Sequence, residues 1–457
     1  MTTSIARTLT SNGSRRKGTL SFWYKKCEVG TSRMVYSSYT SGGNNHNILF
    51  NTDDTLRFTS QVSSSKKIDL VTTRKFRDPN AWYHIVTAFD TEQGTDTNRA
   101  KMYINGVQET SFTNASGGSP TYPSQDQDLQ VNISGEHIYF NKNGDGAGME
   151  ATCVYSHIHY IDGTMYDASA FGQTDATTGE WSIKTAPSVT YGTNGFFILK
   201  DGNSVTDQSG NSNDFSVEQG TLTKTEDNPS NVFATLNPLN IPVSNQPTFS
   251  NGNTTSISSS SGGDNGKWGG CSTLGMTSGK FYCEAKATVD GSYSRNVIGV
   301  TGDPTTMARA NNQSLLSNTG NSSGYYSENG QVNYNNSAQY TAATYGTGDI
   351  IQIAIDLDNN RLFYGKNGTW LNSGDPTSST GAITIGAAST CPEGAYFFAQ
   401  NDDTGTSAQS KFEFNFGNGY FGTTAVASAG TNASNLGIFE YNVPAGYTAL
   451  CTKGLNL

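Results

Sequence analysis

The sequence predicts an all-β protein, two antiparallel β-sandwiches of the jelly-roll type in series. Three observations lead there. Asn-Gly steps punctuate the whole chain, nine in all, at Asn12, Asn105, Asn143, Asn194, Asn251, Asn265, Asn329, Asn367 and Asn418, and each favours a type I′ turn because both central residues accept positive φ. Asp-Gly steps at Asp145, Asp162, Asp201 and Asp290 continue the rhythm. No apolar stripe of helical period persists beyond about two turns. The third observation is length: 457 residues suit two large β domains.

In the first half the clearest strand is WYHIVTAFD (82–90), where Trp82, His84, Val86 and Ala88 alternate with Tyr83, Ile85, Thr87 and Phe89. Apolar groups on both faces predict a central strand between two layers. KMYI (101–104) follows, then the Asn105-Gly106 turn and a strand beginning at Val107. In the second half IIQIAIDLD (350–358) places Ile351, Ile353, Ile355 and Leu357 on one face and turns through Asn359-Asn360 into RLFYGKNG. Between the halves, residues 226–247 hold four of the 12 prolines, Pro229, Pro238, Pro242 and Pro247. Proline fixes φ and withholds a donor, so this stretch is predicted to be an extended linker. The predicted divisions are 1–225, the linker 226–247, a second sandwich 248–425, and a tail 426–457 packed back on it through Phe439, Tyr441, Tyr447 and Leu450.

Composition narrows the class. Only 14% of residues are charged, against roughly 25% in an ordinary soluble domain, so solubility rests on uncharged polar groups. The core must lean on 22 Phe, 23 Tyr and 5 Trp, too many for a disordered tail. The net charge of −10 is dispersed, and the basic cluster Arg15, Arg16, Lys17 is too short to track a phosphate backbone, so nucleic acid is not an expected partner. No apolar run approaches the roughly 18 residues of a membrane span, and the N-terminus lacks the apolar stretch of a secretory signal. Synthesis in a cytoplasm without membrane insertion is the expectation. Six scattered cysteines with no C-x-x-C pair read as free buried thiols.

The runs TLSFWYKK (19–26), WYHIVTAFDT and RAKMYINGVQ resemble laminin-G-like or concanavalin A-like jelly rolls over roughly residues 1–220. The continuation HIHYIDGTMYDASAFGQTDATTGEWSIK (157–184), with YGTNGFFILKDG and TDQSGNSNDF, is similar to the version of this domain found in large structural proteins of bacteriophages. In the second half GKFYCEAKA (279–287), NVIGV, GDIIQIAIDLDNNRLFYGKNGTW and KFEFNFG (411–417) resemble, in order, the landmarks of a SPRY domain, with Cys283 where that family often has Trp. The SPRY resemblance implies recognition of a partner through loops at one end of a sandwich, without catalysis.

Candidate chemistry is sparse. Glycosidases of the concanavalin-like class need paired carboxylates, typically E-x-D-x-x-E; Glu180, Glu284, Glu413 and Glu440 each stand alone. No G-x-S-x-G elbow accompanies the histidines His46, His84, His137, His157 and His159. His157 and His159 alternate on one strand, open to two readings, a metal pair or polar groups on a sheet face. Asn141, Asn143, Asp145 and Gly146 copy the opening of a calcium loop, with Asn in place of the first Asp and Thr152 where Glu would close it; a polar hairpin is the other reading. Asp201, Asp207 and Asp214 form a second oxygen cluster, and laminin-G-like relatives sometimes bind calcium. No other cofactor is expected. Tyr325, Tyr326, Tyr334 and Tyr340, in a segment rich in Asn and Ser, are candidates to stack on sugar rings, unless they are core residues.

The expectation is therefore a non-enzymatic virion protein of a bacteriophage, a tail fibre, knob or decoration protein. Its expected partners are other virion proteins and a host-surface glycan or protein, and it is expected to be a homo-oligomer, a trimer by preference. A purely structural decoration protein and a polysaccharide-degrading enzyme are the alternatives.

Overall fold

A computed structural model of the chain describes all residues except 1, 147, 243–245, 260–266, 290–295, 310–315, 317–319 and 403–408. The turns predicted at Asn265-Gly266 and Asp290-Gly291 lie outside the described residues. Two compact units form, Met1–Lys224 and Thr225–Leu457, and both are antiparallel β-sandwiches.

The first unit contains β1 (Ser4–Thr8), β2 (Lys17–Lys26), β3 (Arg33–Ser41), β4 (Asn44–Phe50), β5 (Thr55–Val62), β6 (Ser65–Lys75), β7 (Trp82–Asp90), β8 (Ala100–Ile104), β9 (Val107–Gln108), β10 (Phe112–Thr113), β11 (His137–Phe140), β12 (Cys153–Asp162), β13 (Gly172–Thr174), β14 (Trp181–Ile183), β15 (Phe196–Ile198) and β16 (Ser216–Gln219). An eight-stranded sheet runs β10-β6-β5-β4-β3-β11-β1-β16, and a six-stranded sheet runs β15-β12-β2-β7-β8-β9. Their facing sides bury Phe22, Tyr24, Ile85, Phe89 and Tyr160 against Val35, Ile48, Phe58, Leu70 and Phe140. Each fully buried aromatic or branched side chain contributes about 1.5–3 kcal/mol.

As the alternation in 82–90 requires, β7 is covered on both faces. Ile85 and Phe89 enter the core, while Val86 packs with Tyr103, Ile161, Ala168 and Phe171 on the opposite face. Trp23, His84 and Trp181 stack there with ring centroids 4.9 and 5.9 Å apart. The Trp181 indole donates to His84 Nδ1 at 2.9 Å, and Ser21 Oγ lies 2.9 Å from Nε2. Burial pushes His84 down to about 3, so the ring is neutral, with Nε2–H donating to Ser21.

In the second unit a nine-stranded sheet is ordered Thr248–Ser250, Thr255–Ile257, Ser410–Asn415, Lys280–Val289, Ile350–Asp356, Arg361–Lys366, Thr369–Trp370, with Ile383–Thr384 and Thr448–Ala449 joined to its middle strands. A six-stranded sheet is ordered Lys267–Cys271, Phe397–Asp402, Asn296–Thr301, Ser323–Tyr326, Gln331–Tyr334, Ser337–Thr341. Ile351, Ile353, Ile355 and Leu357 share the core between them. On the outer side of the larger sheet, Phe439, Val443 and Tyr447 of the C-terminal segment cover Tyr282, Ala354 and Phe363.

The predicted linker is different in the structure. The division falls between Lys224 and Thr225, and much of 226–247 is built into the second unit. Phe233 and Leu236 are 2% and 0% exposed, Ala234 N donates to Leu450 O at 2.9 Å, and Thr452 N donates to Val232 O at 2.9 Å. Proline keeps the stretch out of a continuous ladder, yet isolated bridges and apolar side chains between the prolines suffice to dock it. The Asn-Gly steps also divide. Both residues take positive φ at Asn105-Gly106, Asn251-Gly252 and Asn367-Gly368. At Asn194-Gly195 neither does; Gly195 is instead required because a Cβ there would collide with the Tyr191 carbonyl.

The six cysteines are free thiols, five of them buried. Among the described residues no helix is long and apolar enough to cross a membrane.

Candidate functional site

The four candidate tyrosines are not an exposed platform. Tyr325 is fully buried in the second core and its hydroxyl donates to Ala343 O. Tyr326, 7% exposed, points to the other face and packs with Val297, Leu316 and Ala399. Tyr334 and Tyr340 are half-buried against the core. Tyr334 accepts from Gly386 N at 2.7 Å and donates to Asn321 Oδ1 at 3.0 Å. The reason is register: Tyr325 pairs with Val332 and Val332 with Tyr340, so these side chains share the apolar inner face of the hairpin.

The oxygen-rich loops are committed to their own backbone. Asn141 accepts from Ala151 N at 2.7 Å and donates to Thr3 O and Ala151 O, each at 2.9 Å. Asn143 Nδ2 reaches Met149 Sδ at 3.8 Å, and Asp145 is exposed. Asp207 accepts four donors, Phe197 N, Ser209 N, Ser209 Oγ and Asn213 N, at 2.7–2.9 Å. Asp214 accepts from Asp207 N at 2.7 Å, while Asp201 stays exposed. These carboxylates and amides close turns in the manner of Asx motifs. His157 and His159 straddle a bulge in β12. His157 bonds Ser156 Oγ at 2.7 Å, and His159 Nδ1 lies 2.9 Å from Tyr191 Oη. Burial lowers both, His157 to about 4. Among the described residues no group of three or more His, Cys, Asp or Glu is placed to hold a metal ion.

The structure assembles a different surface, on the outward face of the eight-stranded sheet. Ile138 and Phe140 of β11 face the core, so His137 and Tyr139 face outward. Their direct cross-strand partners share that face. One row joins Thr8, His137, Tyr39, Asn45 and Gln61 across five adjacent strands. The next row joins Ala6, Tyr139, Ser37, Asn47 and Thr59. At about 4.8 Å per strand each row spans about 19 Å.

Hydrogen bonds fix the polar members. Ser37 Oγ donates to Asn47 Oδ1 at 2.8 Å, Asn47 Nδ2 to Asn45 Oδ1 at 3.3 Å, and Asn45 Nδ2 to Gln61 Oε1 at 3.1 Å. His137 and Tyr139 stack with centroids 6.0 Å apart and planes inclined 26°, and Thr8 Oγ1 lies 2.9 Å from His137 Nδ1. Neither row carries Asp, Glu, Lys or Arg. The charges at the margins are paired: Arg57 and Lys66 hold Asp69 at 2.7 and 2.9 Å, and Lys142, over the Tyr139 ring, holds Glu218 at 3.1 Å. Alternation in HIYF and NNHNI reveals the facing of each strand; the sequence gives no sign that these strands are neighbours.

Residues 3–142 match the Laminin_G_3 family, the concanavalin A-like lectin/glucanases superfamily, and residues 280–382 match the SPRY domain family. The chain thus carries a concanavalin A-like domain followed by a SPRY domain. No curated protein matches it. Similar solved structures include the SPRY domain of human HERC1, at 14% identity, covering 39% of this chain and 96% of that one, with a TM-score of 0.29. The mouse laminin alpha1 chain domains LG4-5 share 8% identity over 98% of this chain and 84% of that one, with a TM-score of 0.30. A heptameric SAP-like pentraxin from Limulus polyphemus shares 15% identity over 35% and 70%, with a TM-score of 0.26.

Proposed function

We propose that the chain is a structural display protein of a bacteriophage particle, a tail fibre, knob or decoration protein that attaches the particle to a host surface by binding a glycan or a protein. The observation that carries this reading is the pairing, in one chain, of two sandwich domains of kinds that often bind carbohydrates or proteins. The likeness of 157–184 and the segments after it to bacteriophage structural proteins supplies the particle. The uncharged, ring-bearing outward face of the first unit supports a ligand without formal charge. In this reading no catalysis takes place and no cofactor is needed. Multiple copies, in a trimer or on one particle, turn modest affinities into avidity.

Mass spectrometry of purified particles tests the particle assignment, which fails if the chain is missing from them. Competition by purified protein against phage adsorption tests attachment. A chain present on particles that neither binds host cells nor competes is a purely structural decoration protein.

A further inference from the structure

We infer that Asn143 is a self-modifying residue, at which the peptide nitrogen of Gly144 displaces the side-chain amide and leaves a new carboxylate in the loop between β11 and β12. The reaction does not depend on the proposed recognition role.

Asparagine followed by glycine carries this chemistry because no Cβ obstructs the attacking nitrogen. The Gly144 nitrogen gives its proton to water and bonds to Asn143 Cγ, the Cγ–Nδ2 bond breaks, and Nδ2 leaves as ammonia. Water then opens the cyclic imide at either carbonyl, giving aspartate or isoaspartate at position 143. Water is consumed, ammonia is released, and nothing is oxidised or reduced. A fold suppresses the reaction in two ways, by a hydrogen bond that fixes the side-chain amide and by one that occupies the glycine N–H.

Eight of the nine Asn-Gly steps lie among the described residues, and seven of these eight are held. At Asn367 the amide accepts from Ile350 N at 2.8 Å and donates to Asp349 Oδ1 at 2.6 Å, and Gly368 N donates to Gln352 Oε1 at 2.7 Å. Asn12 Oδ1 accepts from Ser134 N and Gly13 N donates to Asn132 O, each at 2.8 Å. Asn329 and Asn418 are held in the same double way. Asn194 is fully buried and exchanges hydrogen bonds with Ser11. Asn105 Oδ1 accepts from His84 N at 2.8 Å, and Asn251 Nδ2 donates to Thr255 Oγ1 at 3.0 Å.

Asn143 is the exception. Its amide meets the Met149 thioether at 3.8 Å, a weak acceptor, and among the described residues nothing accepts from the Gly144 N–H. Gly146 N donates to Asn143 O at 3.0 Å, so the step opens a turn whose next residues, Asp145 and Gly146, are exposed to water. The Gly144 Cα lies against Tyr39, where a Cβ would collide, which keeps this position glycine. Each hydrogen bond that must open first slows the other steps by about 2- to 10-fold.

The product adds a negative charge next to Lys142, which holds Glu218 of β16 at 3.1 Å. No hydrogen bond to a backbone group is lost with the Asn143 amide, so the charge of the loop changes while the sandwich stays folded.

The test incubates the full chain at mildly alkaline pH, folded and, in parallel, unfolded in urea, and follows each Asn-Gly peptide by mass spectrometry and by labelling with an isoaspartyl methyltransferase. In the folded chain position 143 should gain isoaspartate about 2- to 10-fold faster than any of the other seven described steps, and unfolding should abolish that lead. Asn143→Gln should remove the signal at 143 and leave the thermal transition of the first unit in place. A folded chain in which another described step leads, or in which 143 reacts no faster than the rest, overturns the inference. A lead at 143 that persists in urea overturns it as well, since the neighbouring sequence and not the fold would then set the rate.

Discussion

The carboxylate of Glu284 accepts the backbone N–H of Tyr441 at 2.8 Å, tying the C-terminal segment to the middle of the nine-stranded sheet. The same carboxylate accepts Glu440 N at 2.8 Å and Tyr282 Oη at 2.9 Å. It is fully buried. Burial pushes its pKa from 4.5 up to about 7, against the pull of these donors.

That shift sets a pH dependence. The folded state retains a proton that the unfolded chain loses, so the contribution of Glu284 to stability is greatest below pH 4.5 and falls as pH rises through about 7, by an amount on the order of 3 kcal/mol. Glu284→Gln should remove this slope. Calorimetric unfolding of both proteins from pH 4.5 to 8 checks it: the wild type should lose stability relative to the variant as pH rises, by about 3 kcal/mol over that range.

The first unit should respond in the opposite direction. Burial holds His46 and His84 at about 3 and His159 well below its usual value. Folded, these rings bind fewer protons than unfolded ones, so their stabilisation is complete above pH 6.5 and is lost as pH falls toward the folded values. In one thermal scan, with the first-unit transition assigned by His84→Phe, that transition should rise and the second-unit transition fall as pH goes from 5 to 7.

Lys26 and Asp54 form a buried ion pair at 2.5 Å, with side chains 3% and 5% exposed. Gly30 N and Arg77 Nε also donate to Asp54, at 2.7 and 3.1 Å. Lys26→Met removes the buried cation and leaves the carboxylate underpaired, with an expected loss of about 3–5 kcal/mol. Denaturant unfolding of the first unit measures it, and a loss below about 1 kcal/mol would place the pair among exposed bridges.

Tyr325 should behave as a core residue. Tyr325→Ala is expected to cost about 3–5 kcal/mol of second-unit stability. At temperatures where the variant is folded, ligand affinity should be unchanged. Thermal unfolding and binding measured on the same preparation separate this from a contact role, for which affinity would fall and stability would hold.

Strand periodicity, many of the turns and the two-sandwich class were legible in the sequence because they depend on neighbours along the chain. Alternation in WYHIVTAFD and IIQIAIDLD settled which side chains share a face, and Asn105-Gly106 settled its own hairpin. The proline-rich stretch 226–247 misled, since extended backbone says nothing about what Phe233 and Leu236 dock against. The four tyrosines misled because facing was known only relative to the strand, and pairing in register turned three of them inward. The neutral rows needed tertiary structure altogether. Thr8 and His137 stand 129 residues apart in the chain, and only the closing of the eight-stranded sheet brings them to Tyr39 and Asn45. A period of two fixes sides locally, whereas strand order and register are settled by packing the whole sandwich.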